Sequence, residues 1–277
     1  MNDNAPAAGL PPILGNKHHA APAVFRPENL MREVRRQRRL PDQPVPEVCI
    51  LDPDGDIVRA LRADGRGQAF PGWACYHTDM LTFDLAGERV GIVGCAVGGA
   101  FAVLAAEQMF ASGCRLLLSV TSAGRIGADL PEAAFFVLID RALRDEGTSY
   151  HYLPAADPFA HVRPELAEQA ARSLVAAGVP ILRGAVWTTD APYRETAEAI
   201  ASAARQGVLA VEMEAAALYA FAQARDVAVL CLAHVTNRMA QFEGDFEKGE
   251  ADGSTAALDA LAIVLRSWRD RPAVAGS

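Results

Sequence analysis

The sequence predicts a single α/β domain built in three layers, with a central mixed sheet flanked by helices. Three observations predict this fold class. Runs rich in Val, Ile and Leu alternate with segments of helical length from residue 47 onward. No linker between residues 47 and 270 is long or polar enough to divide the region. The chain of 277 residues has 51% hydrophobic content, which suffices to bury one large core.

The regions before and after this domain have a different composition. Residues 1–25 are predicted to form a flexible arm rich in Pro and Ala, and residues 26–46 a helix followed by a Pro-rich connector. The α/β domain then covers 47–270, and 271–277 form a tail. Five arginines lie between positions 32 and 39, on a predicted helix near 28–40. We interpret this cluster as a solvated or subunit-contacting face.

The alternation within the domain predicts the following elements. The strands are expected at 47–51, 89–95, 115–120, 134–139, 180–187 and 227–236, where β-branched and other apolar residues concentrate. The helices are expected at 99–112, 163–176, 194–206, 212–225 and 254–268.

Composition argues against several classes of protein. The formal charge of −8 is unlike that of a nucleic-acid binder. There is no apolar run of transmembrane length and no secretory pattern at the start, so we expect a cytoplasmic protein without a membrane partner. The five cysteines show no metal-site spacing and are expected to be reduced. We therefore predict neither a metal nor a bound cofactor.

Distinctive loops follow four of the predicted strands. They lie at 94–99, 121–124, 188–190 and 236–238. Ligands of open α/β sheets bind at the carboxyl ends of strands, where such loops collect. We therefore expect the four loops to surround one site.

The segment 211–222 is the most informative part of the chain. Glu212 and Glu214 precede eight uncharged residues whose length suits a buried helix. Successive helical residues are rotated by about 100°, so the two carboxylates point to different sides of the axis. A carboxylate in the first turn can stay ionised while partly buried, because it faces the positive end of the helix dipole. Such an acceptor suits adjacent hydroxyls, as on a ribose. Alternatively, both residues serve only as capping charges.

The sequence of this segment, VEMEAAALYAFA, resembles the ribose-binding segment of the nucleoside phosphorylase family. That family includes uridine phosphorylases and hexameric purine nucleoside phosphorylases. The resemblance covers about residues 47–270 and implies a nucleoside phosphorylase-like fold. It also implies that Met213 and Glu214 hold the sugar.

Other segments extend the resemblance to a nucleophile pocket. Gly98 and Gly99 lead directly into a helix, where backbone amides and the helix dipole could receive an anion. The later segment SVTSAGRI resembles the family's second phosphate loop, and Ser122 falls at a phosphate-contacting threonine. We therefore assign Gly98, Gly99, Thr121 and Ser122 to a pocket for phosphate or another nucleophile.

The base-binding prediction rests on two segments. Residues 187–194 correspond to the family's base-facing loop, which implicates Asp190, Tyr193 and Arg194. Asn237 and Arg238 end the last core strand, as Asn-Arg does in uridine phosphorylases. Asn237 stands where hexameric purine phosphorylases have an aspartate that protonates the base. A neutral amide can donate and accept hydrogen bonds but cannot supply a proton, and it suits a 6-oxopurine. The polar stretch 239–254 is a candidate lid over the base.

The resemblance fails at the family's phosphate-binding arginines. Their positions fall on Ile57, on Ser119 and close to Tyr76 or His77. Losing three guanidinium groups removes charge-assisted bonds that contribute about 1.5–3 kcal/mol each. The candidates to replace these groups are Arg59, Arg125 and Arg238. A nearby acidic cluster, Asp52, Asp54 and Asp56, would repel phosphate or could activate water as a general base.

Three functions therefore remain open, and the glycine pair at 98–99 together with Ser122 favours the first. The first is a pentosyltransferase that uses phosphate as co-substrate to cleave a nucleoside into ribose 1-phosphate and free base, with Glu214 and Asn237 as catalytic residues. The second is a nucleosidase that uses water, and the third is a non-catalytic nucleoside-binding protein. In the enzymatic cases Glu214 would favour the positive charge of an oxocarbenium-like sugar. The resemblance also implies a homodimer or a homohexamer.

Overall fold

The computed structural model describes residues 11–127, 130–238, 243, 245 and 248–270. Its core is a mixed sheet of ten strands. The strands are β1 (Val48–Asp52), β2 (Gln68–Ala69), β3 (Leu81–Leu85), β4 (Glu88–Gly94), β5 (Leu116–Arg125), β6 (Phe135–Asp145), β7 (Phe159–His161), β8 (Ile181–Thr189), β9 (Val208–Glu212) and β10 (Ala228–Asn237). The mixed α/β fold predicted from the sequence is confirmed.

Helices cover this sheet. They are α1 (Pro27–Arg38), α2 (Asp56–Ala63), α3 (Gly99–Ala111), α4 (Pro164–Ala176), α5 (Ala197–Arg205), α6 (Ala215–Arg225) and α7 (Ser254–Arg269). Among the described residues no helix is long and apolar enough to cross a membrane.

Part of the sheet closes into a ring, which the sequence did not predict. Strand β5 pairs with β10 on one side and with β9 on the other. The ring continues from β10 through β6 and β8 to β9. Strands β1, β4, β3 and β2 extend the sheet from β5, and β7 pairs with β6. Closure leaves no free edge within the ring and brings the ends of β5, β9 and β10 together.

The buried helix α6 fixes the geometry of this ring. Residues 215–222 are all buried, in agreement with the apolar run in the sequence. The Tyr219 hydroxyl donates to the Ile139 carbonyl at 2.7 Å and accepts from the Cys231 N–H at 3.0 Å. Tyr219 therefore links β6 and β10 to the helix that follows the predicted ribose segment.

Several predicted elements have different boundaries in the structure. Helix α6 begins at Ala215 rather than 212, because Val208–Glu212 form strand β9. Helix α5 begins at Ala197 rather than 194, since Pro192–Arg194 form a short 3-10 turn and the Thr196 hydroxyl accepts from the Ala199 N–H. Helix α2 was not predicted. Its eight residues are too few for a clear helical period.

The described part of the N-terminal arm packs on a corner of the domain. Lys17 Nζ donates to His151 Nδ1 at 3.0 Å, and His19 Nε2 lies 3.2 Å from the Tyr150 carbonyl. The corner itself is held by Arg144, which is buried and donates to the carbonyls of Leu153, Pro154 and Asp157. Arg144 therefore has a structural role at this corner.

Candidate active site

A cavity of about 430 Å³ opens at the strand ends. The ends of β5, β9 and β10 line it, together with the loop after β1 and the loop between β8 and α5. Six of the residues predicted from the sequence line this cavity: Thr121, Ser122, Tyr193, Met213, Glu214 and Asn237. Three of the four expected loops contribute to it, through Val97, residues 121–124 and Asn237, whereas residues 188–190 do not.

Glu212 and Glu214 both border the cavity but have different partners. The helical rotation expected from their spacing does not apply, because Glu212 ends β9 and α6 begins at Ala215. The Glu212 carboxylate accepts hydrogen bonds from the N–H groups of Glu214 and Ala215, both at 2.8 Å, and from the Thr188 hydroxyl. It therefore caps the first turn of α6. Because these three donors hold Glu212 in place, Glu214 is the carboxylate left to serve a ligand.

The Glu214 carboxylate is buried, with 2% of the residue exposed. Its Oε1 accepts from the Gly98 N–H at 2.7 Å. Its Oε2 is also buried but has no hydrogen-bond partner among the described residues. An unsatisfied buried carboxylate oxygen is costly, and ligand hydroxyl groups would satisfy it.

Burial raises the pKa of both glutamates. For Glu214 the loss of solvent is the main cause, the negative charge of Glu212 adds to it, and the Gly98 N–H opposes it. For Glu212 burial is again the main cause, opposed by its hydrogen bonds to Thr188 and the backbone. A positive charge beside Glu214 would favour its ionised form, which is the electrostatic requirement of an oxocarbenium-like sugar.

The glycine pair after β4 binds a carboxylate of the protein itself, that of Glu214. The N–H of Gly98 is bonded to Glu214, and Gly98 has a φ of 89°, a conformation that glycine adopts without strain. A Cβ on Gly99 would lie 2.8 Å from the Ala217 Cβ, so the pair also lets α3 approach α6. Neither glycine lines the cavity. Both lie behind Glu214 rather than in the predicted anion pocket.

A second carboxylate accepts a hydrogen bond from the backbone of Ser122, a residue assigned to the phosphate pocket. The Ser122 N–H donates to Asp54 Oδ2 at 2.7 Å, and Asp54 lines the cavity. Lys248 Nζ lies 3.5 Å from the same oxygen and 2.6 Å from Asp56 Oδ2. The neighbouring Asp52 is buried and accepts from the Gly55 and Val58 N–H groups, so it shapes the turn that presents Asp54.

The arginines proposed to replace the family's phosphate ligands are engaged elsewhere. Arg59 pairs with Asp56. Arg125 donates to the carbonyls of Leu130, Pro131 and Glu132, and Arg238 pairs with the Glu132 carboxylate at 2.5 Å. Among the described residues, no lysine or arginine lines the cavity.

The loop between β8 and α5 forms one wall. Pro192 and Tyr193 line the cavity, and Tyr193 is 99% exposed. The predicted residues Asp190 and Arg194 do not line it. Asp190 instead accepts from the Gly147 N–H at 2.8 Å, while Arg194 is exposed.

Glu195 lines the cavity but was not predicted. It is half-buried, and burial raises the pKa of its carboxyl. The only sequence signal was its position two residues after Tyr193, which does not distinguish it from the start of the next helix.

Asn237 is 5% exposed and lines the cavity at the end of β10. The register of β10 against β5 shifts between Val235 and Asn237, a bulge that redirects the side chain there. The Arg238 N–H donates to Asp245 at 2.9 Å, and the Arg238 side chain is outside the cavity lining. Of the predicted lid, residues 239–242, 244, 246 and 247 lie outside the described residues.

These features define an α/β protein with a cavity at its strand ends and a buried carboxylate on the cavity wall. A family model described as the phosphorylase superfamily matches residues 35–268, so the chain belongs to that superfamily. The resemblance found in the sequence is thereby confirmed.

Individual relatives are similar at low identity. A protein of Myxococcus xanthus (strain DK1622) is 29% identical over 55% of this chain and 64% of its own length. One of Jannaschia sp. (strain CCS1) is 29% identical over 74% of this chain and 91% of its own length. A third, of Brevibacillus brevis, is 30% identical over 58% and 71% of the two chains. Each is named purine nucleoside phosphorylase DeoD-type.

Proposed function

We propose that the protein cleaves the N-glycosidic bond of a nucleoside, with water as the nucleophile. Cleavage of a glycosidic bond is inferred from the Glu214 carboxylate, which is buried on the cavity wall. One of its oxygens is bonded to the Gly98 N–H, and the other has no partner among the described residues. The names of the relatives support a nucleoside as the substrate class.

Glu214 would accept the ribose hydroxyls and stabilise the positive charge that develops on the sugar. Met213 lines the cavity beside it and would pack against the ribose. Asn237 would hydrogen-bond the base as the glycosidic bond lengthens. These roles follow the family resemblance, and the three residues share one cavity.

The choice of water rests on charge. Asp54 already accepts from the Ser122 N–H, so a phosphate approaching that amide would meet a carboxylate. Lys248 lies beside Asp54 from outside the cavity lining, and no lysine or arginine among the described residues lines the cavity itself. The same carboxylate could take a proton from water as that water attacks the anomeric carbon.

Phosphorolysis is the second candidate, favoured by the relatives' names and slightly preferred from the sequence. It requires phosphate to displace Asp54 from Ser122. The third hypothesis, nucleoside binding without catalysis, predicts ligand-induced thermal stabilisation but no product.

One assay separates the three. Inosine, uridine and adenosine are incubated with the protein in phosphate-free buffer and in the same buffer with inorganic phosphate, and free base and sugar products are measured. Water as nucleophile gives free ribose at a rate unchanged by phosphate. Ribose 1-phosphate, formed only with phosphate present, would establish phosphorolysis, and stabilisation without product would establish binding alone.

A further inference from the structure

The cavity is rich in acidic groups and poor in basic ones. Four carboxylates line it, on Asp54, Glu195, Glu212 and Glu214, and the described residues place no lysine or arginine in its lining. The short undescribed segments between residues 127 and 248 contain no lysine or arginine in their sequence. Lys248, whose Nζ lies 3.5 Å from Asp54 Oδ2, is outside the cavity lining.

The four carboxylates are not equally satisfied. Glu212 is held by three donors, and Asp54 has the Ser122 N–H and Lys248 nearby. Glu214 has the Gly98 N–H on one oxygen alone. The Glu195 carboxylate has neither a hydrogen bond nor an ion pair within the described part of the chain, although it is half-buried. Glu195 and Glu214 are the groups that a bound positive charge would stabilise most.

The leaving base presents a second requirement. A neutral base that departs with the glycosidic electron pair leaves as an anion unless it is protonated, and the Asn237 amide cannot provide that proton. A base that already carries a fixed positive charge becomes neutral when it receives that pair. It can therefore leave without an acid.

We propose that the site prefers nucleosides whose base is cationic, such as N-alkylated purine ribosides or pyridinium ribosides. This inference rests on the proposed glycosidic cleavage. Glu195 pairs with the charged ring, and the exposed ring of Tyr193, on the same wall, offers its face to the cation. Glu214 remains the partner of the sugar.

The reaction balances without any further reactant. The water oxygen bonds to the anomeric carbon as the carbon–nitrogen bond breaks, and the electron pair of that bond neutralises the base. The water proton passes to Asp54 and then to solvent. A cationic nucleoside and water thus give free sugar, neutral base and one proton.

The test compares 7-methylguanosine with guanosine at pH 6, where the methylated base is cationic, and adds nicotinamide riboside as a second cationic substrate. KM and kcat are measured with the uncatalysed rate subtracted, and dissociation constants by calorimetry. We expect the cationic member of the guanosine pair to have a KM and a dissociation constant lower by about fivefold or more, the factor equivalent to one partly exposed ion pair. Added salt should reduce the difference, because it screens Glu195.

A matched pair of variants separates charge from the added methyl group. Glu195→Gln should remove most of the preference, while Glu198→Gln, exposed on α5 and outside the cavity lining, should retain it. Equal constants for 7-methylguanosine and guanosine, or a preference that survives in Glu195→Gln, would overturn the inference while leaving glycosidic cleavage intact. Absence of both cleavage and binding for every nucleoside would overturn the proposed function as well.

Discussion

The Glu212 carboxylate accepts a hydrogen bond from the backbone N–H of Glu214 at 2.8 Å. One acidic residue thus fixes the backbone that presents the other. Both side chains are buried, with 4% and 2% of the residues exposed, yet Glu212 is held by three donors and Glu214 by one N–H. This division assigns a structural role to Glu212 and leaves Glu214 as the group available to a ligand.

Glu214→Gln should lower kcat/KM for nucleoside cleavage by about 10²–10³-fold, the usual effect of removing one electrostatic stabiliser of a transition state. The amide keeps the size of the side chain but not its charge. Steady-state kinetics on the best substrate would measure the loss. Glu198→Gln is the control, and a Glu214→Gln enzyme of full activity would contradict the assignment.

Asp54→Asn should lower phosphate-independent turnover by about 10²–10⁴-fold, because an amide cannot take the proton from water. The variant should also accept phosphate more readily than the natural chain, since the carboxylate at Ser122 is gone. Product analysis with and without phosphate would show both effects. Asp79→Asn, at an exposed residue outside the cavity, serves as control. Unchanged turnover without phosphate would rule out Asp54 as the base.

The stability effect of Glu214→Gln should grow with pH. A carboxyl whose pKa is raised by folding stabilises the folded state most below its ordinary pKa, which is about 4.3 for glutamate. That stabilisation is lost as the pH rises through the pKa of the folded state. Gln stays neutral, so the Tm of the variant minus the Tm of the natural chain should rise between about pH 5 and pH 8. The comparison is made between the two proteins because burial lowers the pKa of His234 to about 4, which acts in the opposite direction. A Tm difference that is constant with pH would contradict the raised pKa of Glu214.

Gly99→Ala should destabilise the fold by about 1–3 kcal/mol, the usual cost of overpacking. The added Cβ would lie 2.8 Å from the Ala217 Cβ, on a helix with no room to move. Urea denaturation would measure the loss. In the double variant Gly99→Ala, Ala217→Gly the two effects should be less than additive. Strict additivity would show that the two residues do not clash.

Tyr219→Phe should cost about 1–3 kcal/mol, because the Ile139 carbonyl and the Cys231 N–H would each lose a buried partner. Denaturant midpoints would test this. Tyr193→Phe is the matched control, since that ring is 99% exposed and should change stability by less than about 0.5 kcal/mol. Equal effects at both positions would refute the bridging role of Tyr219.

Local patterns were sufficient for much of the fold. The run after Glu214 predicted a buried helix, and residues 215–222 are all buried in it. Strand-end position predicted that Ser122 and Asn237 would share one site, the family resemblance added Glu214, and all three residues line one cavity. Closure of β5 against β9 and β10 was not predicted, because strand pairing depends on partners distant in the chain.

The sequence by itself determined the family, the alternation of strands and helices, and the buried helix after Glu214, because these depend on residue type and on neighbours along the chain. Tertiary structure alone decided that Asp54 reaches Ser122, 68 residues away, and that Glu195 faces the cavity while Asp190 bonds to Gly147. The same holds for Arg59, Arg125 and Arg238, which pair outside the cavity. The physical reason is that a long polar side chain takes the nearest partner in space, and folding sets which partner that is.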